Sequence, residues 1–226
     1  VILNGNSTLD ISGDWLVVDG LRFEGGALSD GSNAIVEFRG NNGHATNSRF
    51  TNSAIISYNP GDINDRYHWV EMFGENNRVD NNYFENQNHS GVTVVVRRDD
   101  ASAQNHLIDR NHFADRPEGN GNGFETIRIG TSTNSLSDSF TTVENNLFER
   151  TDGEIEIISN KSGNNTMRYN TFRALKESSL SARTRTCQEP SALSASDRRS
   201  STMTLQTWTI APVARFLSRQ ACRILQ

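Results

Sequence analysis

The feature that most constrains this chain is a short motif, an asparagine-rich turn followed by phenylalanine, that recurs six times before residue 173. Asparagine stands two places before phenylalanine in the last four copies, at Asn82, Asn111, Asn146 and Asn170. The six phenylalanines are separated by 27, 34, 29, 35 and 24 residues: Phe23, Phe50, Phe84, Phe113, Phe148 and Phe172. A period of about 20–50 residues is typical of stacked repeats, in which each unit covers the apolar face of its neighbour.

Each repeat contains short strand-like runs and no sustained helical period. Examples are VTVVV at 92–96, ETIRI at 125–129 and EIEII at 154–158. Several short strands per repeat, separated by asparagine and glycine, predict one coil of a parallel β-helix. Asparagine tolerates the left-handed backbone of a sharp corner, and its side chain can hydrogen-bond from coil to coil.

We therefore predict an all-β fold, a right-handed parallel β-helix of about six coils, with the six phenylalanines at equivalent places. The alternative is a β-sandwich with coincidental asparagine turns, but sandwiches rarely repeat one corner motif six times. In a β-helix, alternate side chains face outward and coils stack about 4.8 Å apart, which creates a long polar groove. Such a surface suits an extended polymer better than a small cofactor.

The composition changes abruptly near Arg173. All 17 glycines and all 26 asparagines precede it, whereas both cysteines, Cys187 and Cys222, follow it. Residues 174–226 carry a formal charge of +5, against −10 for residues 1–173. We therefore expect a β-helix domain over 1–173 and a divergent, irregular tail over 174–226. The net charge of −5 argues against nucleic-acid binding. The sequence contains no run of about 18 apolar residues, the length that would predict a membrane span.

The most informative stretch for chemistry is GEIEIISNKS at 153–162. Strand alternation would point Ile155 and Ile157 inward and the carboxylates of Glu154 and Glu156 outward, close enough to repel without a cation. Asn122 lies 32 residues before Glu154, about one coil. One amide oxygen and two carboxylates form a hard-oxygen site suited to Ca²⁺.

Lys161 follows just past the same strand, where its amine would lie beside this cation. The alternative for the whole stretch is a solvated acidic face with a lysine in a turn.

Four segments resemble polysaccharide lyase family six, the alginate lyase and chondroitinase B family. They are LNGNSTLDISGDWLVVDGLRF (3–23), NGFETIRIG (122–130), VENNLFER (143–150) and GEIEIISNKS (153–162). The resemblance covers most of residues 1–173 and keeps the order of the family's motifs. It implies a right-handed parallel β-helix that cleaves acidic polysaccharides, alginate foremost, by β-elimination, and a secreted or periplasmic location.

Carried over residue by residue, the resemblance implies that Asn122, Glu154 and Glu156 are Ca²⁺ ligands and that Lys161 is the base that removes the C5 proton. It also implies that Arg128 binds substrate carboxylates. The metal would stabilise the charge that develops when a proton leaves the carbon next to a carboxylate.

The chain departs from the family after Lys161. The family places an Arg-His-Gly motif about one coil later, and its arginine protonates the leaving oxygen; no such motif follows here. A reading-frame shift near Arg173 is one explanation, because codons for Ser181-Ala-Arg-Thr184 can encode Arg-His-Gly in the +1 frame. Arg183 and Arg185 are not equated with the family's arginine. The chain also lacks an initiator methionine, so we expect an N-terminally truncated member.

Three functions remain open from the sequence. The first is a Ca²⁺-dependent lyase acting on alginate, or on chondroitin or dermatan. The second, favoured by the missing arginine, is a non-catalytic β-helix that binds acidic polysaccharides. The third is a β-helix hydrolase that uses two carboxylates.

Overall fold

The computed structural model describes residues 1–175 and a strand at 184–186, and these residues form three parallel sheets. The first sheet has seven strands: β1 (Ile2–Leu3), β4 (Arg22–Glu24), β9 (Ala54–Ile56), β12 (Tyr83–Glu85), β15 (His112–Arg116), β18 (Leu147–Thr151) and β21 (Thr171–Arg173). The second also has seven: β2 (Leu9–Asp10), β5 (Ala34–Glu37), β10 (His68–Met72), β13 (Val94–Val96), β16 (Ile127–Ile129), β19 (Ile158–Asn160) and β22 (Thr184–Thr186). The third has six: β3 (Val17–Asp19), β8 (Arg49–Thr51), β11 (Arg78–Asp80), β14 (Leu107–Asp109), β17 (Thr142–Glu144) and β20 (Thr166–Arg168).

The chain visits the second, third and first sheets in turn, once per coil, and every strand pair within them is parallel. This confirms the predicted parallel β-helix. Two smaller elements interrupt it: an antiparallel hairpin of β6 (Arg39–Gly40) and β7 (Gly43–His44), and a 3-10 turn at Ser132–Asn134. Among the described residues, no helix has the length and apolar character needed to cross a membrane.

A column of aromatic side chains fills the core behind the first sheet. Phe84, Phe113, Phe148 and Phe172 stack with ring centroids 5.1, 5.0 and 4.7 Å apart. Phe23 belongs to the same column, and the strand register places Ile55 between it and Phe84. The predicted equivalent place is therefore confirmed for five of the six phenylalanines, and direct ring stacking for four of them.

Phe50 was assigned wrongly to that column. It lies in the third sheet, where its register partners are Val18 and Val79. The asparagine before it, Asn47, makes the preceding corner of the coil, with a φ of 53°. Ile55 takes the phenylalanine position of this coil because the corner that matches the other copies is made by Asn52 and Ser53.

A ladder of buried asparagines runs along the corner before the first sheet. In each step the side-chain Oδ1 of one coil accepts the main-chain N–H and the side-chain amide of the coil before it. Asn111 Oδ1 accepts both from Asn82 at 3.0 and 3.1 Å, and Asn146 Oδ1 accepts both from Asn111 at 2.9 and 3.1 Å. Asn170 closes the series against Asn146. Buried polar groups thus satisfy one another, which fixes the coil register.

A second polar column lies at the corner before the third sheet, and a histidine replaces asparagine in it. Asn77 Oδ1 accepts the N–H of Ser48 at 2.8 Å, and His106 Nδ1 accepts the N–H of Asn77 at 3.1 Å. Asn165 plays the same part for Thr141. Because Nδ1 is an acceptor, His106 is neutral, and burial lowers its pKa from 6.5 to about 3.

Because His106 is buried in its neutral form, we expect the stability of the fold to fall at acidic pH. The unfolded chain binds a proton at His106 below about pH 6.5, whereas the folded chain resists protonation down to about pH 3, so stability falls as the pH drops through this window. His106→Asn should remove part of this loss, since asparagine fills the same column at 77 and 165. The check is urea denaturation at pH 7 and pH 4.5. An equal loss of stability in both proteins would contradict the assignment.

Candidate active site

The outer face of the second sheet carries the charged side chains that the sequence singles out. Its inward residues, such as Val94, Ile127 and Ile158, belong to the apolar core. The alternate residues face out, and the register lines up Glu37, Glu71, Val95, Arg128 and Ser159 on successive coils. A row of largely buried side chains, three of them charged, therefore crosses the coils on the outer face of this sheet.

Glu154 lies in the loop before β19, against the loop of the preceding coil. Its Oε2 accepts the main-chain N–H groups of Gly123 at 2.9 Å and of Phe124 at 3.0 Å. Burial and repulsion by Glu125 raise the pKa of Glu154, the two N–H groups lower it, and repulsion by Glu156 raises it further. The carboxylate is thus held in place by main-chain donors while like charges crowd it.

Glu156 follows two residues later and is partly buried. The run from Glu154 to Ile157 is bent, and β19 begins only at Ile158. The predicted inward direction holds for Ile157, which is 1% exposed, but is wrong for Ile155, which is 51% exposed. The alternation rule fails here because it applies only to extended strand.

Glu125 is a carboxylate that the sequence argument missed. It is 2% exposed, its Oε2 has no hydrogen-bond partner among the described atoms, and its Oε1 lies 3.8 Å from Arg128 Nη1. The length of the coil is the signal that could have identified Glu125. Gly123 contacts Glu154, 31 residues later, and Glu125 precedes Glu156 by the same 31 residues. The carboxylates of Glu125 and Glu156 both repel that of Glu154.

Asn122 is exposed at the start of the same loop, directly before the N–H groups that hold Glu154. A coil of 31 residues sets Gly123, rather than Asn122, directly beside Glu154. Asn122 thus precedes Gly123, the residue that contacts Glu154, and it lies at the exposed start of this loop.

Lys161 stands directly after β19 and is partly buried. Its main-chain N–H donates to the carbonyl of Ile129 at 2.7 Å, which fixes where the side chain leaves the backbone. Gly130 in the preceding coil has a φ of +82°, and a Cβ there would lie 2.8 Å from the Lys161 carbonyl. Only glycine fits at this close approach.

Arg128 is 8% exposed at the centre of the outer face. Burial lowers the pKa of its guanidinium, attraction to Glu125 opposes this, and Arg66 and Arg97 lower it further. Burial is the main cause that lowers the pKa of His68, and Arg128, Arg97 and Arg66 lower it further. Arginines of several coils thus surround this part of the outer face, where Arg97 also lies 3.6 Å from Glu71.

The donor chemistry of Asn122, Glu154 and Glu156, one amide and two carboxylates, suits a hard cation such as Ca²⁺. The raised pKa of Glu154 and the unpartnered Oε2 of Glu125 both mark carboxylates whose charge the protein alone leaves incompletely balanced. Carboxylate and amide oxygens are the ligands that Ca²⁺ prefers. Among the described residues, these carboxylates included, no three histidine, cysteine, aspartate or glutamate side chains come together in a group that could hold a metal, so the donor set depends on the amide of Asn122.

The three parallel sheets, visited once per coil, place the chain in the class of parallel β-helix solenoid proteins. Within this class, residues 1–188 match the family model described as Chondroitinase B. The chain belongs to this family of polysaccharide lyases. No curated protein matches it.

Several solved structures are similar to this chain. The polysaccharide lyase family 6 alginate lyase AlyGC is 42% identical, with a TM-score of 0.72 over 76% of this chain and 24% of its own. A mannuronic acid specific family 6 lyase from human gut microbiota is 35% identical, with a TM-score of 0.72 over 77% of this chain and 40% of its own. The family 6 lyase Pedsa3628 from Pseudopedobacter saltans is 30% identical, with a TM-score of 0.63 over 77% of this chain and 44% of its own. The chain thus spans less than half the length of these relatives.

Proposed function

We propose that this chain carries the central part of an alginate lyase active site and acts by Ca²⁺-assisted β-elimination. The observation that carries the proposal is the position of Glu154, whose carboxylate is fixed by the N–H groups of Gly123 and Phe124 in the coil that precedes Lys161. Alginate is favoured over chondroitin or dermatan because the similar structures are described as alginate lyases, one of them in complex with G6. A secreted or periplasmic location is part of the same proposal.

Each side chain has one task in this reaction. The neutral amine of Lys161 takes the C5 proton of a uronate, the electron pair forms the C4–C5 double bond, and the bond from C4 to the glycosidic oxygen breaks. Arg128 holds a substrate carboxylate in the groove. The departing oxygen needs a proton, which the family's Arg-His-Gly arginine supplies and for which this chain has no matching motif.

Asn122, Glu154 and Glu156 would hold the Ca²⁺ ion, with Glu125 beside them. When bound, the ion supplies positive charge that offsets the substrate carboxylate and makes the neighbouring C5 proton more acidic.

The test is incubation of the chain with alginate and Ca²⁺ while ultraviolet absorbance and reducing ends are followed. A lyase produces both signals, since only elimination leaves an unsaturated uronide. Reducing ends without the absorbance would indicate a hydrolase and contradict the proposal. Chondroitin and dermatan serve as the comparison substrates.

Glu154→Gln should weaken Ca²⁺ binding by about 10-fold or more, because it replaces a charged ligand by a neutral one of the same shape. Isothermal titration calorimetry measures the affinity directly, and an excess of chelator should abolish any elimination. Glu24→Gln is the control, since Glu24 lies on the first sheet and pairs with Arg22. Unchanged affinity in Glu154→Gln, or full activity in chelator, would contradict the metal role.

A second function, non-catalytic binding of acidic polysaccharide, is favoured by one observation, the missing Arg-His-Gly motif after Lys161. A chain without that acid would retain the arginine-lined groove. Retention on an alginate column without any unsaturated product would identify a binder.

A further inference from the structure

Arg116 is a fully buried arginine for which the proposed reaction has no use. It ends β15, and its side chain turns into the interior behind the loops that carry the candidate metal ligands. Its three hydrogen bonds all go to main-chain carbonyls: Nε donates to Phe124 at 2.6 Å, Nη2 to Gly91 at 2.7 Å and Nη1 to Gln87 at 3.3 Å. A buried guanidinium without a carboxylate in direct contact is costly, so a compensating role is expected.

The bonds of Arg116 join successive coils at one corner. Gln87 and Gly91 belong to one coil and Phe124 to the next, and the third coil packs against the same guanidinium at Gly153. A Cβ at Gly153 would lie 2.7 Å from Arg116 Nε and 2.4 Å from the Phe124 carbonyl, so only glycine allows this approach. Gly153 directly precedes Glu154.

Phe124 links Arg116 to the candidate site through its main-chain carbonyl and its main-chain N–H. Arg116 holds the carbonyl of Phe124, and the N–H of Phe124 holds the Glu154 carboxylate at 3.0 Å. Burial lowers the pKa of Arg116 to about 9, and attraction to Glu125 and Glu154 offsets this only in part. The interior arginine therefore contacts the loop from below while Glu154 contacts it from above.

We propose that Arg116 is a positioning residue that orders the 119–124 loop from inside the β-helix and so holds Glu154 in the geometry needed to bind Ca²⁺. The Ca²⁺ part of this proposal rests on the proposed function. The ordering of the loop rests on the hydrogen bonds of Arg116 alone. Lysine cannot replace arginine here, because one ammonium cannot reach three carbonyls with the planar fork of a guanidinium.

The experiment compares Arg116→Lys with Arg98→Lys in the full chain. Both substitutions keep the charge, and Arg98 is likewise buried, donating to Ser102 O at 3.0 Å and to Ser137 Oγ at 2.8 Å. Calcium titration by calorimetry should show an affinity about 10–100-fold lower for Arg116→Lys, the usual loss when the support of a metal ligand is removed. Arg98→Lys should bind Ca²⁺ like the unaltered chain.

Amide hydrogen exchange supplies a readout that needs no metal. Exchange at Gly123 and Phe124 should be faster in Arg116→Lys and unchanged in Arg98→Lys. Equal Ca²⁺ affinity in Arg116→Lys and the unaltered chain, or an equal loss in Arg98→Lys, would overturn the inference.

If the unaltered chain binds no Ca²⁺, the metal part of the proposed function fails, and equal exchange at Gly123 and Phe124 would then overturn the role of Arg116 separately. If Arg116→Lys does not fold, hydrogen exchange in the unaltered chain with and without Ca²⁺ tests the role of Arg116 instead. Added Ca²⁺ should slow exchange at 87–91 as well as at 119–124, since Arg116 joins both segments. Protection confined to 119–124 would overturn the inference.

Discussion

Lys161→Ala is expected to lower the rate of alginate elimination by about 10²–10⁴-fold, the usual effect of removing a general base. Polymer retention on an alginate column should change little, because the amine acts on a proton that moves only in the transition state. Lys161→Arg is the matched control: it keeps a cation but offers no neutral amine near neutral pH, so it should be equally inactive.

The missing Arg-His-Gly motif shapes how this prediction is measured. The chain as it stands should eliminate slowly, and reading its coding DNA in the +1 frame after Arg173 should restore the motif and the activity. The same change in a Lys161→Ala background should restore nothing. Equal activity of the restored chain with and without Lys161 would reject its role and make Arg128 the next residue to test.

Asn111→Ala is expected to destabilise the fold by about 2–5 kcal/mol, a large part of the roughly 5–15 kcal/mol typical of a native protein. The change removes the acceptor for the Asn82 N–H and the donor to the Val79 carbonyl, at 3.0 and 2.9 Å, and leaves both buried groups without that partner. Urea denaturation followed by circular dichroism measures the shift in midpoint.

The control for this prediction is Asn88→Ala. Asn88 is exposed and outside the ladder, so its replacement should change the free energy of unfolding by less than about 0.5 kcal/mol. A similar loss in both variants would show that the ladder does not determine the stability of the coils.

The fold could be predicted because the corner motif records a physical requirement in each coil. An asparagine two places before phenylalanine supplies both the ladder amide and the aromatic stack, as at Asn111 and Phe113. Phe50 was assigned wrongly because Asn47 makes a different corner with a similar local sequence. Which corner an asparagine occupies depends on the register of the neighbouring coil, which one repeat does not contain.

The candidate site could be predicted in outline only. Strand alternation placed Glu154 on a regular strand, whereas the structure bends the chain before Ile158 and ties Glu154 to main-chain N–H groups of the preceding coil. Main-chain donors leave no signal in side-chain patterns. Arg116 could not be predicted for a related reason, since its hydrogen-bond partners are all main-chain carbonyls, which any sequence provides.

We propose that Lys161 removes the C5 proton of a uronate held on the outer face of the second sheet. This role is tested most directly by incubating the chain with alginate and Ca²⁺ in D₂O and following deuterium at C5 by NMR. A base that takes the proton returns solvent deuterium to C5 even where the leaving oxygen is not protonated, so the measurement does not depend on the missing arginine. C5 deuterium or unsaturated product is expected with the unaltered chain and neither with Lys161→Ala. The absence of both signals from the unaltered chain, or equal signals from both proteins, would rule out Lys161 as the base.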